Sequence, residues 1–343
     1  MIREAFGAEF VGADGFLDTP TYGVPPRFAA DALRDCLQSW EQGRLEMNAF
    51  DGPMAASRAA YASLIGVHER RVTMATSVSS AIGLVAASLP NGSRVATLRG
   101  EFTSVTFPFA AQAGRDVTVT ELPPGRLEDA AGDFDVVAVS LVQSADGAVL
   151  DVETLRRSVA ESDTVTVIDV SQALGWKNVE VPWADVAVAA SYKWLLGPRG
   201  VAWTSLSERM FGVLVPHAAN PFAGEGNLWS SLYGLPLRLA DDARRFDFSP
   251  VWFSVLGAGL ALPWLASLDR TAVEAHTVGL ANRLRAELAL APVESAIVSI
   301  PGVHAVDAVH GAGIRASVRA GGVRIGFHLY NTEADLDRLV DVL

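Results

Sequence analysis

The sequence predicts an α/β protein: a mostly parallel central sheet with helices on both faces, followed by a smaller C-terminal α+β part. Three observations carry this. Short runs rich in Val, Ile and Ala recur through the middle of the chain, as strands buried on both faces do. Amphipathic segments alternate with them, the pattern of βαβ units. Polar residues, namely Ser140, Asp169 and Ser191, stand at the ends of three of the runs. Open parallel sheets place their ligands at those ends.

Taken in order, helices are predicted over 26–42, 53–66 and 79–89, then a strand over Ser93–Leu98 and another over Phe134–Ser140. A helix over 152–162 leads to the strand Thr164–Ile168, which ends at Asp169. Val186–Ala190 leads into Ser191, and Gly200–Thr204 is expected to return antiparallel. Residues 220–235, rich in Gly, Asn, Ser and aromatics, read as a loop, of the kind that lines sites or interfaces. From about Pro250 the pattern changes: an apolar helix to Leu268, a second helix over about 271–288, and short strands near Ala296, Gly313 and Val323. A closing helix is capped at Asn331-Thr332-Glu333. This division predicts an N-terminal segment, 1–20, packing with a small domain, 251–343, and a large domain, 21–250.

Composition narrows the function. With 343 residues, half of them hydrophobic, the chain can bury a large core. A net charge of -12 and no basic stripe argue against nucleic acid as a partner. One cysteine, Cys36, leaves no internal disulfide and no cysteine cluster for zinc. The apolar stretch Val255–Leu268 is too short to span a bilayer and contains Pro263. The N-terminus lacks a basic start followed by an apolar core. A cytoplasmic protein with no membrane partner is expected.

Two strand ends carry the chemistry. An acid, Asp169, and a lysine, Lys193, two residues past Ser191, are costly to bury without partners. Pyridoxal phosphate offers both at once: its aldehyde condenses with an amine and its ring nitrogen takes a carboxylate. The plainer alternatives are a surface lysine and a helix-capping aspartate. Ser77-Val78-Ser79-Ser80 precedes an apolar helix. It reads as a simple cap, or as a phosphate site at a helix N-terminus. Arg324, between Val323 and Ile325, needs an anion, whether a structural carboxylate or that of a substrate.

These residues together resemble the class-V aminotransferase group of fold-type I pyridoxal-phosphate enzymes. The resemblance runs from Leu17 to Glu333. It rests on Asp-x-x-Gln at 169–172, Ser-Tyr-Lys at 191–193, Gly-Pro-Arg-Gly at 197–200, and Arg324 six residues before Tyr330-Asn331-Thr332. It implies Lys193 as the Schiff-base lysine, Asp169 as the partner of the ring nitrogen, and Gln172 at the cofactor's ring oxygen. It implies phosphate contacts from Val78, Ser79, Ser191 and Tyr192, and a stacking ring from Phe102. Ser249 matches a phosphate ligand donated across a homodimer, and Arg324 the arginine that holds the carboxylate of an amino-acid substrate. Two departures stand out. Leu141 and Ser144 occupy places where many relatives carry histidine and asparagine, so that Gln143 or Ser144 is left to serve the ring oxygen. The segment 318–322 has no cysteine, which cysteine desulfurases need there.

The branch that Ser-Tyr-Lys, Phe102 and Trp194-Leu195-x-Gly-Pro-Arg-Gly is similar to contains kynureninase, ergothioneine-pathway C–S lyase and isopenicillin N epimerase-like proteins. The resemblance therefore implies a β-eliminating C–S lyase acting on an amino acid with a bulky side chain, with Trp229 and Tyr233 as candidates to line its pocket. An aminotransferase using a keto-acid acceptor is the alternative, and an epimerase or a non-catalytic scaffold the remoter ones.

Overall fold

The computed structural model describes residues 2–226, 228–302 and 305–343, with the side chains of residues 228, 229 and 305 outside the description. The chain opens with a hairpin, β1 (Arg3–Ala5) and β2 (Ala8–Phe10), followed by α1 (Arg27–Glu41) and α2 (Asp51–Ile65). Then come β3 (Val72–Ala75), α3 (Val78–Ser88), β4 (Arg94–Leu98), α4 (Thr103–Ala110), β5 (Thr118–Leu122), α5 (Arg126–Ala130) and β6 (Val136–Ser140). α6 (Val152–Val159), β7 (Val165–Asp169), β8 (Val186–Ala190), β9 (Ala202–Leu206) and α7 (Met210–Val213) complete the middle. The last part holds α8 (Trp252–Ala266), α9 (Arg270–Glu287), β10 (Ile297–Pro301), α10 (Ala305–Gly311), β11 (Ser317–Arg319), β12 (Gly322–Gly326) and α11 (Glu333–Val340).

Seven strands form one sheet in the order β3-β9-β8-β7-β6-β4-β5. All its pairings are parallel except the two made by β9. The expected antiparallel return is therefore present, two residues later than the sequence suggests. Period-two alternation explains why the strands look continuously apolar. Val137 and Val139 enter the core on one face of the sheet, Val136 and Ala138 the core on the other. Ala187 and Ala189 do the same against Val186, Val188 and Ala190.

Sequence reading passes over β3 and β5. β5, Thr118-Val119-Thr120-Glu121-Leu122, is a sheet edge with no buried residue, so it lacks the apolar run that marked its neighbours. β3 is only four residues long. α8 runs through Pro263, which sits in its last turn and does not end it. This helix packs against α2 and α1. A Cβ on Gly259 would lie 2.5 Å from Pro53 Cα, so glycine permits the close crossing. Among the described residues no single helix is long and apolar enough to cross a membrane.

β10, β12 and β11 form a separate three-stranded antiparallel sheet. Its core gathers Leu17, Leu280, Leu284, Val323, Ile325, Phe327 and Leu336. The hairpin β1–β2 is tied to this part: Arg3 bonds Asp335, and Phe10 lies 5.2 Å from the Tyr330 ring. α11 begins where expected, with Asp335 accepting the Thr332 N–H at 2.9 Å.

Candidate active site

The site forms where parallel strands end. Register places Ser140 beside Asp169, and Asp169 beside Val188. Asp169 accepts the Ser171 N–H at 2.8 Å, and the Ser171 hydroxyl accepts from Ala190 N at 2.9 Å, so the ends of β7 and β8 are fastened together. Burial pushes the Asp169 carboxyl above its usual range, and the charge of Lys193 opposes the shift.

Lys193 is buried, with Nζ 5.3 Å from the centre of the Phe102 ring and 5.9 Å from that of Tyr192. Burial brings its amine down to about 8; Asp169 opposes this, while Arg324, Arg319 and Arg199 add to it. An amine poised there is a nucleophile near neutral pH. Gly23 passes directly beneath: its N–H donates to Tyr192 O at 2.8 Å, and a Cβ there would lie 2.2 Å from Lys193 O.

At the start of α3, Ser77 and Ser80 cap each other reciprocally. The cap consumes the Ser80 N–H, while the amides of Val78 and Ser79, in the first turn, are left for an anion. Ser191 is fully buried, and its Oγ has no hydrogen-bond partner among the described residues. A buried hydroxyl of this kind awaits an acceptor or donor from a ligand. Tyr192 stacks against Arg199, 5.2 Å away.

Arg324 is buried in a setting with little negative charge. Its Nη1 donates to Ser144 O at 2.7 Å and Ser144 Oγ at 3.0 Å, and its Nη2 to Thr21 Oγ1 at 2.7 Å and Ser317 Oγ at 3.1 Å. Asp18 lies 3.7 Å off, and Arg324 Nε has no partner among the described residues. Burial, with the charge of Arg319, brings the guanidinium down to about 10.

Gln172 is more committed than its motif suggests. Oε1 accepts from Trp194 Nε1 at 2.7 Å, while Nε2 donates to Pro20 O at 3.0 Å and Ser144 Oγ at 3.1 Å. Ser144 thus accepts from both Arg324 and Gln172, which leaves its own proton to donate. Gln143 donates to Glu101 Oε2 at 2.8 Å. Leu141 is buried in the core. Ser249 is exposed, beyond Asp247, whose carboxylate is anchored to Arg58, Thr73 and Met74 N.

A cavity of about 100 Å³ opens beside these groups, lined by Gly100, Phe102, Gln143, Ser144, Ala145, Arg319 and Ala320. None of the described residues of the loop expected to line it does so. Tyr233 is 92% exposed and borders a different cavity, with Asn220 and Arg238. The Trp229 side chain lies outside the described residues. Cys36 borders another cavity, beside Arg44 and Phe50.

Sequence reasoning missed Glu101, Thr21, Arg319 and His328. Glu101 accepts from Phe102 N, Ser140 N, Ser140 Oγ and Gln143 Nε2, all within 2.8 Å. It is an acid just past a buried strand, the signal that singled out Asp169. His328, buried against Trp194, holds Trp194 O at 2.9 Å; burial keeps its ring neutral down to about 3.

The donor set fits pyridoxal phosphate: free helix-start amides and the orphaned Ser191 hydroxyl for the phosphate, a ring face, a buried carboxylate and a buried amine. Comparison with known proteins agrees. Residues 41–305 match the family described as aminotransferase class-V. An uncharacterized aminotransferase YcbU of Bacillus subtilis (strain 168) is 27% identical over 310 residues, 83% of this chain and 81% of that protein. A probable hercynylcysteine sulfoxide lyase of Mycobacterium tuberculosis (strain CDC 1551 / Oshkosh) is 35% identical over 155 residues, 43% of this chain and 39% of the other. The structure of the cystine C–S lyase C-DES with its product cysteine persulfide superposes with a TM-score of 0.84 at 16% identity, covering 96% of this chain and 97% of that one.

Proposed function

The chain belongs to the class-V aminotransferase family, enzymes whose cofactor is pyridoxal phosphate, and from that premise we propose that it is a β-eliminating lyase that cleaves a carbon–sulfur bond in an amino acid. The observation that carries this reading is the isolation of Lys193. The described residues lining the cavity beside it include no thiol, carboxylate or imidazole. Desulfuration needs a thiolate nucleophile, and epimerisation needs a proton donor on the opposite face. Elimination needs one amine that takes the α-proton and returns a proton to the leaving group.

In this reading Lys193 holds the cofactor and then serves as base. Asp169 keeps the ring nitrogen protonated, and Phe102 covers the ring. The amide of Val78, Ser79, Ser191 and Tyr192 hold the phosphate, with Ser249 contributed by the partner subunit of a homodimer. Ser144 donates its free proton toward the ring oxygen, oriented by Gln172 and Arg324, and Gln143 braces that wall through Glu101. Arg324 takes the substrate carboxylate in exchange for some of the hydroxyl partners that its Nη groups now hold. When bound, the cofactor supplies an electron sink for the pair left on the α-carbon.

The test is product analysis with cysteine S-conjugates. Pyruvate and ammonia in equal amounts, with no keto acid added, are expected. A strict need for a keto-acid acceptor overturns the proposal in favour of transamination, which uses the same groups.

A further inference from the structure

We propose that Arg319 forms a second anion subsite beside Arg324, so that the preferred substrate is an amino acid whose side chain carries its own carboxylate. This rests on the reading above, in which Arg324 takes the α-carboxylate.

Register makes the pair. Ser317 lies opposite Arg324 and Arg319 opposite Gly322 in the β11–β12 hairpin. Side chains alternate with a period of two, so Arg319 and Arg324 share one face of the hairpin. Gly322, directly opposite Arg319, carries no side chain to compete for that face. The connection is only Ala320-Gly321, with φ of +46° and +80°, the left-handed geometry of a tight two-residue hairpin turn. Arg319 is therefore placed by strand pairing and not by a long loop. It lines the cavity with Phe102, Gln143 and Ser144.

Its guanidinium is also short of partners. Nη1 donates to Val318 O at 2.8 Å, and Nη2 reaches Thr21 Oγ1 only at 3.5 Å, where Arg324 already donates at 2.7 Å. Among the described residues it makes no ion pair. In a chain of net charge -12, three cations, Lys193, Arg319 and Arg324, lie close enough to act on one another's charge, with Asp169 and Asp18 as the acids that offset them. Arg319 is among the charges that pull the Lys193 amine and the Arg324 guanidinium down. A ligand with two carboxylates relieves both arginines, and a planar fork suits each of them.

Calorimetric titration of the cofactor-loaded enzyme with succinate, glutarate and adipate, against butyrate as the monocarboxylate, tests this. These probes carry no amine, so the outcome is independent of whether elimination or transamination follows. The best dicarboxylate is expected to bind about tenfold tighter than butyrate, the size of one charge-assisted contact at a partly exposed site. Arg319→Gln should bring that ratio to about one with butyrate affinity within about twofold of wild type, Arg319→Lys should retain part of the preference, and Arg324→Gln should weaken every probe. No dicarboxylate preference in the wild type, or an undiminished one in Arg319→Gln, overturns the proposal.

Discussion

Two sets of buried polar groups in this chain are satisfied to different degrees. Glu101 and Asp247 are saturated. Each accepts from several donors, and Asp247 also pairs with Arg58 at 2.6 Å. By contrast, among the described residues, Ser191 Oγ, Arg324 Nε, Asp18 Oδ1 and His328 Nδ1 have no hydrogen-bond partner, and the Lys193 amine is held by nothing stronger than two ring faces and the charge of Asp169. A fold satisfies the groups it uses as scaffold. At the candidate site, groups left without a partner can take one from a ligand. Saturation marks Glu101 and Asp247 as carboxylates that build the fold around the candidate site.

Substitutions on the two sides should fail in different ways. Lys193→Ala should lower turnover by at least about 10²–10⁴-fold, measured as pyruvate release, while the denaturation midpoint of the cofactor-free protein holds or rises, because burial disfavours the charged amine it removes. Loss of stability with turnover intact would invert the contrast. Asp247→Ala should instead cost about 3–5 kcal/mol of stability, since it strands Arg58 without its anion; a denaturant midpoint matching wild type would show that the pair is not scaffold.

His328 sharpens the contrast through pH. Its folded-state value of about 3 lies below the ordinary 6.5, so between those values the unfolded chain binds the extra proton. Stability from this group is complete above 6.5 and is lost as pH falls, by about 1.4 kcal/mol per unit. Between pH 7 and 5 the wild type should lose about 2 kcal/mol that His328→Gln keeps, read from urea midpoints at the two values. The smallest effect belongs to the turn beside Arg319. Ala320→Gly should stabilise by about 1 kcal/mol, because alanine at φ +46° is strained and glycine is not. A fall in midpoint would mean that the Ala320 methyl contributes packing at the cavity wall.

Much of the site was legible because buried strands announce their ends. β6, β7 and β8 are apolar on both faces, so the polar residues at 140, 169 and 191 stood out. The edge strand β5 was invisible for the converse reason, having no buried residue. Glu101 could have been found by the logic that found Asp169. Thr21 and His328 could not: each matters through a residue far away in the chain, Arg324 for the first and Trp194 for the second. Arg319 is near Arg324 in the chain, but only the pairing register of the hairpin puts the two on one face.

Local pattern alone was enough to determine the α/β class, the strand-end acid and lysine, the capped turn at Ser77–Ser80, and the arginine in a late strand. These are written in short-range periodicity and in residue types that cost energy to bury. Only the tertiary structure decided that Gln172 is engaged by Trp194 and Pro20, that Ser144 has one proton left to give, and that Arg319 shares a face with Arg324. Hydrogen-bond saturation and strand register are properties of groups brought together from across the chain, and no local pattern records them.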